Sequence, residues 1–383
     1  MTVVLDLRVI KGSGGGPDKT IINSPRYLAE RGYEMLCVYL HHPDDVGFPK
    51  LREKAHAKGV ELISIPDHGP LDYKVISQTL KLCRERNVTI WHGHDYKTNL
   101  LGLLVYPFWP MRLVTTVHGW VEQTQRTPLY YLIDRCTLRF YEKVFCVSDD
   151  LFQICRQSGV PRSRCILLRN GIDLSEYQRF KYTSQAKTEL GIEQDRFLIG
   201  AVGRLSSEKG FDLLIESVKS LIDQKLPLQL MIFGEGKEES LLQRKIDESG
   251  YGGQIQLMGF QSDLRPFYEA MDLFVLSSMR EGLPNVVLEA MALGVPVLST
   301  RVAGIPKLME HDVNGYIIDP GSTDALTDGL RILYHDAERR ERFSRNGRVT
   351  VESRFSFSNR MSRLVDVYDS MQANAPRLAG ACS

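Results

Sequence analysis

Short apolar runs rich in β-branched residues recur along the chain, each followed by an amphipathic or polar stretch with helical spacing. They fall at Val3–Leu7, Met35–Leu40, Leu62–Ile65, Thr89–Trp91, Leu113–Val117, Val144–Val147 and Ile166–Leu168. The pattern restarts near Arg196, with Phe197–Val202, Leu228–Phe233, Ile255–Met258, Leu273–Leu276 and Val295–Ser299. Such alternation predicts parallel sheets covered by helices on both faces. The segment Asp173–Asp195 is polar, with Tyr177, Phe180 and Tyr182 as its aromatics, and reads as a connection. Two Rossmann-like α/β domains are therefore expected, over residues 1–180 and 190–357, with their strand ends facing a central cleft where such sheets bind ligands.

The run Ser278-Met-Arg-Glu-Gly-Leu-Pro-Asn-Val-Val-Leu-Glu-Ala-Met-Ala sets seven residues between Glu281 and Glu289. Pro284 suits a first helical turn, and nothing from Asn285 to Leu293 breaks a helix before Gly294 and Pro296. Glu281 then lies on the preceding loop and Glu289 on the second turn. At about 1.5 Å rise per residue, the two carboxylates can face one cleft roughly 8–12 Å apart. The helix N-terminus between them offers unpaired N–H groups and a positive dipole end, a seat for phosphate. Sugar hydroxyls, a diphosphate and a ribose diol would fit that layout.

Glu-x7-Glu, within Glu-Gly-Leu-Pro-Asn-x-x-x-Glu-Ala, resembles the donor site of glycosyltransferase family 4. The resemblance implies the GT-B fold, a retaining transfer, Glu281 on the donor hexose and Glu289 on the nucleotide ribose, with Gly282, Leu283, Pro284 and Asn285 shaping the turn between them. It also implies a last helix, residues 358–373, that completes the N-terminal domain.

Further motifs extend it. Gly203-Arg-Leu-Ser-Ser-Glu-Lys-Gly210 follows a strand and opens a helix, so Arg204 and Lys209 share the loop where α/β domains receive phosphate. Two cations there would neutralise a departing diphosphate. Gly234-Glu-Gly236 ends the next strand and resembles the family's glycine turn near the nucleotide. Val302-Ala-Gly-Ile-Pro306 resembles the family's Gly-Gly-Ile-Pro-Glu segment, with Ala303 for a glycine and Lys307 for the acid.

In the first half, Gly12-Ser-Gly-Gly-Gly16-Pro-Asp follows the first strand. Pro17 stands where a third dinucleotide-loop glycine would fall, and the second strand ends in Val38-Tyr-Leu-His-His42 without a ribose-binding acid, so a dehydrogenase is demoted. By the family resemblance Gly15 and Gly16 lie against the donor phosphate. His118 ends a strand where the family places a histidine beside the transferred sugar. His92, His94 and Asp95 invite a zinc reading, but neighbouring strand positions point to opposite faces and no other ligand cluster accompanies them. No metal and no cofactor beyond the nucleotide-sugar donor are expected.

The chain has 383 residues, 43% hydrophobic and 25% charged, with a net charge of +1, which excludes a dominant nucleic-acid field. Arginines gather at Arg339, Arg340, Arg342, Arg345, Arg348, Arg354, Arg360 and Arg363 among Glu338, Glu341 and Glu352. They read as solvated helix faces, with anionic lipid as the alternative. Seven scattered cysteines, including Cys382, read as buried thiols of a reducing compartment. With no signal segment at the strand-like N-terminus, a cytoplasmic protein is expected. The apolar stretch Leu100–Met111 carries two prolines and is too short to span a bilayer. Phe108, Trp109 and Met111 either pack beneath the next strand or dip into the inner membrane face.

The expectation is a retaining hexosyltransferase that uses a nucleotide-sugar donor, UDP ahead of GDP or ADP. Its expected acceptor is a sugar, glycolipid or lipid-linked glycan in surface polysaccharide synthesis. The rivals are a GT-B sugar-nucleotide epimerase, a glycogen-synthase-like ADP-glucose transferase and an inactive sugar-nucleotide-binding partner. The second is disfavoured because Lys11-Gly-Ser-Gly-Gly15 is out of that group's register.

Overall fold

The computed structural model describes residues 1–69, 72–119, 127–302 and 304–373, with backbone alone over 127–130. Ala303 and Cys382 lie outside the described residues. The chain divides into two compact units, Met1–Asn170 with the segment from Ser358 onward, and Gly171–Phe357.

The N-terminal unit holds β1 (Thr2–Val9), β2 (Tyr33–His41), β3 (Leu62–Pro66), β4 (Ile90–Gly93), β5 (Arg112–Val117), β6 (Lys143–Cys146) and β7 (Cys165–Leu167). They form one parallel sheet in the order β3-β2-β1-β4-β5-β6-β7. Both faces are buried, so each strand serves two cores. On β1, Val3, Leu5 and Leu7 enter one core, while Val4 and Asp6 face the other side and are also buried. On β2, Leu36, Val38 and Leu40 join the first core and Cys37 and Tyr39 the second. Each such aliphatic side chain contributes about 1.5–3 kcal/mol, so the apolar runs were the strongest signal in the sequence.

The C-terminal unit holds β8 (Phe197–Val202), β9 (Leu228–Phe233), β10 (Ile255–Leu257), β11 (Leu273–Leu276), β12 (Val297–Thr300) and β13 (Tyr316–Ile318). Its order, β10-β9-β8-β11-β12-β13, is again parallel and has the same winding as the first six strands of the other unit. β13 has only three residues and gave no separable periodic signal. The polar connection contains a helix, Thr183–Glu189, which Lys187 pins to this unit through Asp272 Oδ2 at 2.6 Å.

The last helix, Phe357–Ala373, belongs with the N-terminal sheet: Arg112 donates to Met371 O at 2.8 Å, and Tyr33 bonds Asp369. Among the described residues no helix is long and apolar enough to cross a membrane. Of the three residues expected on a membrane-dipping loop, Phe108 alone is exposed, at 62%. Met111 is buried, and Trp109 packs against the same core and donates its ring N–H to Val88 O at 2.8 Å. Of the two alternatives, packing beneath the next strand holds for Trp109 and Met111, because the stretch turns back into β5. The late arginines are largely tied down: Arg339 and Arg342 bind Asp312, and Arg348 binds Glu352. Arg360 is buried. The described cysteines are all free thiols.

Candidate active site

In a sheet of this winding, the first and fourth strands flank the switch point where the chain reverses direction and ligands gather. In the C-terminal unit these are β8 and β11, and the residues after them are locked to one another. Gly210, at φ 61°, lies so close to Ser277 O that a side chain would collide with it. Ser277 Oγ donates to Lys209 O at 2.8 Å, and Met279 N donates to Glu208 O at 2.7 Å. The two loops thus form one rigid rim.

On that rim Lys209 Nζ meets Glu281 Oε1 at 2.5 Å, and Ser278 Oγ donates to the same oxygen at 2.8 Å. Arg204 stands exposed beside them in sequence, and among the described residues its side chain has no partner. Pro284 proves to be the residue before the helix Asn285–Ala292, and no side chain caps that helix start. Its first N–H groups and positive end remain open to an anion. Glu289, on the second turn, is buried and accepts from Tyr268 at 3.2 Å and from Tyr177. Leu283 is buried beneath the turn, while Gly282 O accepts from Gly304 N at 3.0 Å.

The glycines act mainly on the loops. A side chain at Gly234 or Gly236 would strike Gly203 O or Leu205 O, and one at Gly203 would crowd the Lys209 stem at 3.4 Å. Leu205 N donates to Glu235 O at 2.9 Å, and Gly203 N to Phe233 O at 2.9 Å. The close approach for which glycine is needed is thus backbone to backbone, and it fixes where Arg204 and Lys209 emerge.

In the N-terminal unit the equivalent strands are β1 and β4. Asp6 pairs in register with His92, and positions two apart share a face, so Asp6, His92, His94, Thr116 and His118 project from one side of β1, β4 and β5. His92 and His94, two apart, thus share a face, so the opposite facing of neighbouring strand positions does not separate them. The rings of His92 and His94 stack at 4.6 Å, and those of His94 and His118 at 5.2 Å. His94 Nε2 lies 2.8 Å from Asp6 Oδ1, and His94 Nδ1 lies 2.9 Å from His118 Nε2. His92 bonds Tyr368 OH at 2.6 Å through Nδ1 and Thr116 Oγ1 at 2.7 Å through Nε2. Asp95, the other zinc candidate, instead caps the helix Tyr96–Val105 and accepts from Val9 N at 2.8 Å.

Burial governs the protonation of this set. Desolvation pushes the Asp6 carboxyl up to about 6, against the charges of His92, Arg360 and Arg8. It pulls His92 down to about 3, helped by His94, and holds His94 and His118 well below the usual histidine range. Asp6, His92 and His94 each offer a ligand atom, all within 4.8 Å of one another. Three of the four ring nitrogens of His92 and His94 are already engaged, while His94 Nε2 approaches Asp6 Oδ1 at 2.8 Å without hydrogen-bond alignment; the buried Arg360 acts electrostatically on all three groups, so a second cation there would be opposed.

The glycine loop after β1 is also filled from within. Gly15 N donates to Asp18 Oδ2 at 2.7 Å, and Asp18 Oδ1 pairs with Arg8 Nε at 2.9 Å. Gly16 begins the helix Gly16–Ala29, so Asp18 occupies its first turn, where an anion would otherwise bind. The sequence reading missed Asp6, Arg8, Tyr368 and Arg360 in the first unit and Tyr268 and Ser278 in the second. Asp6 and Arg8 did leave a signal, as charges at alternate positions inside an apolar strand.

Two units of Rossmann winding, one with a cation-lined switch point, define an α/β protein whose C-terminal unit offers a seat for an anionic ligand. Residues 183–350 match the family described as Glycosyl transferases group 1, and residues 14–176 match Glycosyltransferase Family 4. The chain belongs to the glycosyltransferases of the family 4 type and has the GT-B fold. Its relatives include the capsular polysaccharide biosynthesis glycosyltransferase CapM of Staphylococcus aureus, 29% identical over 78% of this chain and 81% of that one. Another is the Escherichia coli UDP-Gal:alpha-D-GlcNAc-diphosphoundecaprenol alpha-1,3-galactosyltransferase, 25% identical over 79% of this chain and 81% of that one. Among solved structures, Anabaena HepE in complex with UDP superposes with a TM-score of 0.82 at 20% identity, covering 97% of this chain and 100% of that one.

Proposed function

We propose that this glycosyltransferase is a retaining hexosyltransferase that takes its sugar from a UDP-sugar and passes it to a hydroxyl of a surface polysaccharide or glycolipid precursor. The observation that carries the reading is the Lys209–Glu281 pair on the rim, with exposed Arg204 and an uncapped helix start nearby in sequence. Arg204, Lys209 and the helix start at Asn285 hold the diphosphate, and Glu281 and Ser278 orient the sugar. Glu289, steadied by Tyr268 and Tyr177, takes the ribose diol. His118 serves the transferred sugar, and Gly15 and Gly16 contribute backbone surface. UDP is supported by the relative that uses UDP-Gal and by the fold shared with a UDP-bound structure. The acceptor class follows the same relatives.

Among the described residues, no second carboxylate presents itself as a nucleophile for a double displacement. The acceptor oxygen therefore bonds to the anomeric carbon on the face from which the diphosphate leaves. The carbon–phosphate-oxygen bond breaks, and a leaving phosphate oxygen takes the acceptor's proton while Arg204 and Lys209 stabilise its charge. Proton NMR of the first product from an α-linked UDP-sugar tests this. An α-glycoside is expected, and a β-glycoside would sink the mechanism. Membrane association rests on Leu100, Leu104, Tyr106 and Phe108, which are exposed together on and just after the helix Tyr96–Val105.

A further inference from the structure

We propose that Asp6 and His94 are positioning residues that fix the tautomer of His118, so that His118 meets the sugar as a hydrogen-bond acceptor through Nδ1. The proposal rests on the assignment of His118 to the transferred sugar.

Each contact in the chain fixes where one proton sits. Asp6 is ionised at neutral to alkaline pH, since its carboxyl titrates at about 6, and a carboxylate only accepts. Its neighbour at 2.8 Å is His94 Nε2; the pair is not aligned as a hydrogen bond, but a bare nitrogen lone pair that close to a carboxylate oxygen would be repelled, so this nitrogen carries the proton. His94 is neutral, because burial holds it well below the usual histidine range, so its Nδ1 is bare. That bare nitrogen lies 2.9 Å from His118 Nε2, which must donate to it. His118 is neutral for the same reason. Its Nδ1 is therefore an acceptor, and no other described residue pairs with that atom. One carboxylate fixes the polarity of two rings.

The polarity bears on chemistry at the sugar. A sugar hydroxyl that donates to Nδ1 gains electron density on its oxygen, which favours the positive charge that develops as the diphosphate leaves. The opposite tautomer would donate to that hydroxyl and withdraw density. Since a hydroxyl can donate or accept, ground-state binding tolerates either tautomer. The relay should act on kcat and leave the donor KM nearly unchanged.

Long-range proton–nitrogen NMR of histidine-labelled protein at pH 8, without donor, reads the tautomer directly. Wild type should show His118 protonated at Nε2 with Nδ1 bare; the reverse overturns the proposal without any variant. Asp6→Asn keeps the shape but removes the charge, and its amide can turn either oxygen or nitrogen to His94 Nε2, so the polarity is no longer imposed. That should shift both rings toward the opposite tautomer, raise the fraction of His118 protonated at Nδ1, and lower kcat as the Nε2-protonated fraction falls. His94→Gln can still donate to Asp6 and accept from His118, so it should keep the wild-type His118 signature and most of kcat. An Asp6→Asn protein with an unshifted His118 overturns the relay whatever its kinetics. A shifted tautomer with unchanged kcat instead removes His118 from the sugar, and with it the positioning role. Stoichiometric zinc that displaces the His92 and His94 nitrogen resonances would put a metal where the relay is drawn and overturn it.

Discussion

The two switch points share one topology and use it in opposite ways. After β8 and β11, the cations and carboxylate sit on a rim of loops held by backbone packing: Arg204 is exposed, Lys209 and Glu281 face one another, and the helix start at Asn285 is uncapped. After β1 and β4, the corresponding positions are closed from within. Asp18 fills the helix start with help from Arg8, and Asp6, His92 and His94 lie buried beneath Arg360 and Tyr368. The C-terminal unit thus keeps charge available for an anionic ligand. The N-terminal unit uses its polar groups to hold one another and leaves His118 as the outlet. A Rossmann winding decides where chemistry can sit, but whether the site is open or self-satisfied depends on a few side chains within a turn of each strand end.

The largest effect should come from removing the open charges. Arg204→Ala and Lys209→Ala should each lower turnover on the order of 10²-fold or more. Arg204→Ala should leave the melting temperature unchanged, because the side chain is exposed and unpaired among the described residues. Lys209→Ala should also cost about 1–3 kcal/mol, since it leaves the Glu281 carboxylate short of a partner. Near-wild-type turnover in either variant would remove that residue from the diphosphate.

Next come the glycines that build the rim. Gly236→Ala puts a methyl group against Leu205 O, and Gly234 adds a backbone at φ 138° to the same kind of collision. Either should cost about 2 kcal/mol or more, or about 4–8 °C in Tm. Activity should fall with the displaced loop even though no charge is lost. Calorimetry showing unchanged Tm would mean that the rim is looser than its hydrogen bonds indicate.

A smaller effect separates the units by pH. The buried histidines bind protons more weakly folded than unfolded: His92 titrates at about 3 and His94 is lowered too, against an ordinary value of 6.5. A histidine lowered in this way adds stability above its unfolded pKa and loses it as pH falls below. Asp6 opposes this only between its ordinary value of 3.8 and about 6, where the folded form holds the extra proton. Between pH 7.5 and 6 the histidines therefore dominate, and these two should cost about 1.5 kcal/mol together. Urea unfolding at the two pH values measures the loss, and hydrogen exchange should place it in residues 1–170. A flat profile would show that the histidines are hydrated.

Much of this was legible in the sequence because both sheets are buried on both faces, so the strands appear as apolar runs, and because the donor loops are local motifs. Glu281 and Glu289 share one short segment, and Arg204 and Lys209 share another. The network in the first unit was not legible, since Asp6, His92, His118 and Tyr368 are distant in sequence and are gathered only by strand register and the returning helix. The zinc argument failed on a related point. It weighed neighbours such as His94 and Asp95, which do diverge, and overlooked that His92 and His94, two apart, share a face. Trp109 and Met111 were legible only as alternatives, because a proline-bounded aromatic loop and the buried start of a strand have the same composition; packing is the one the structure shows.

The mildest expected outcome bears most directly on the contrast between the open and the closed switch point. If Arg204, Lys209 and the helix start at Asn285 supply the charge that a diphosphate needs, a divalent ion is superfluous in the C-terminal unit. If the histidine nitrogens are engaged and Arg360 repels cations, none is held in the N-terminal unit either. Exhaustive chelation should then leave turnover unchanged, and added magnesium or manganese should not raise it. Loss of activity restored by either ion would show that the cations on the rim are insufficient. Pairing that assay with Asp6→Asn would locate the ion: rescue abolished by the substitution would place it among Asp6, His92 and His94. Rescue that survives the substitution would place it at the donor diphosphate, leaving the closed character of the first switch point intact.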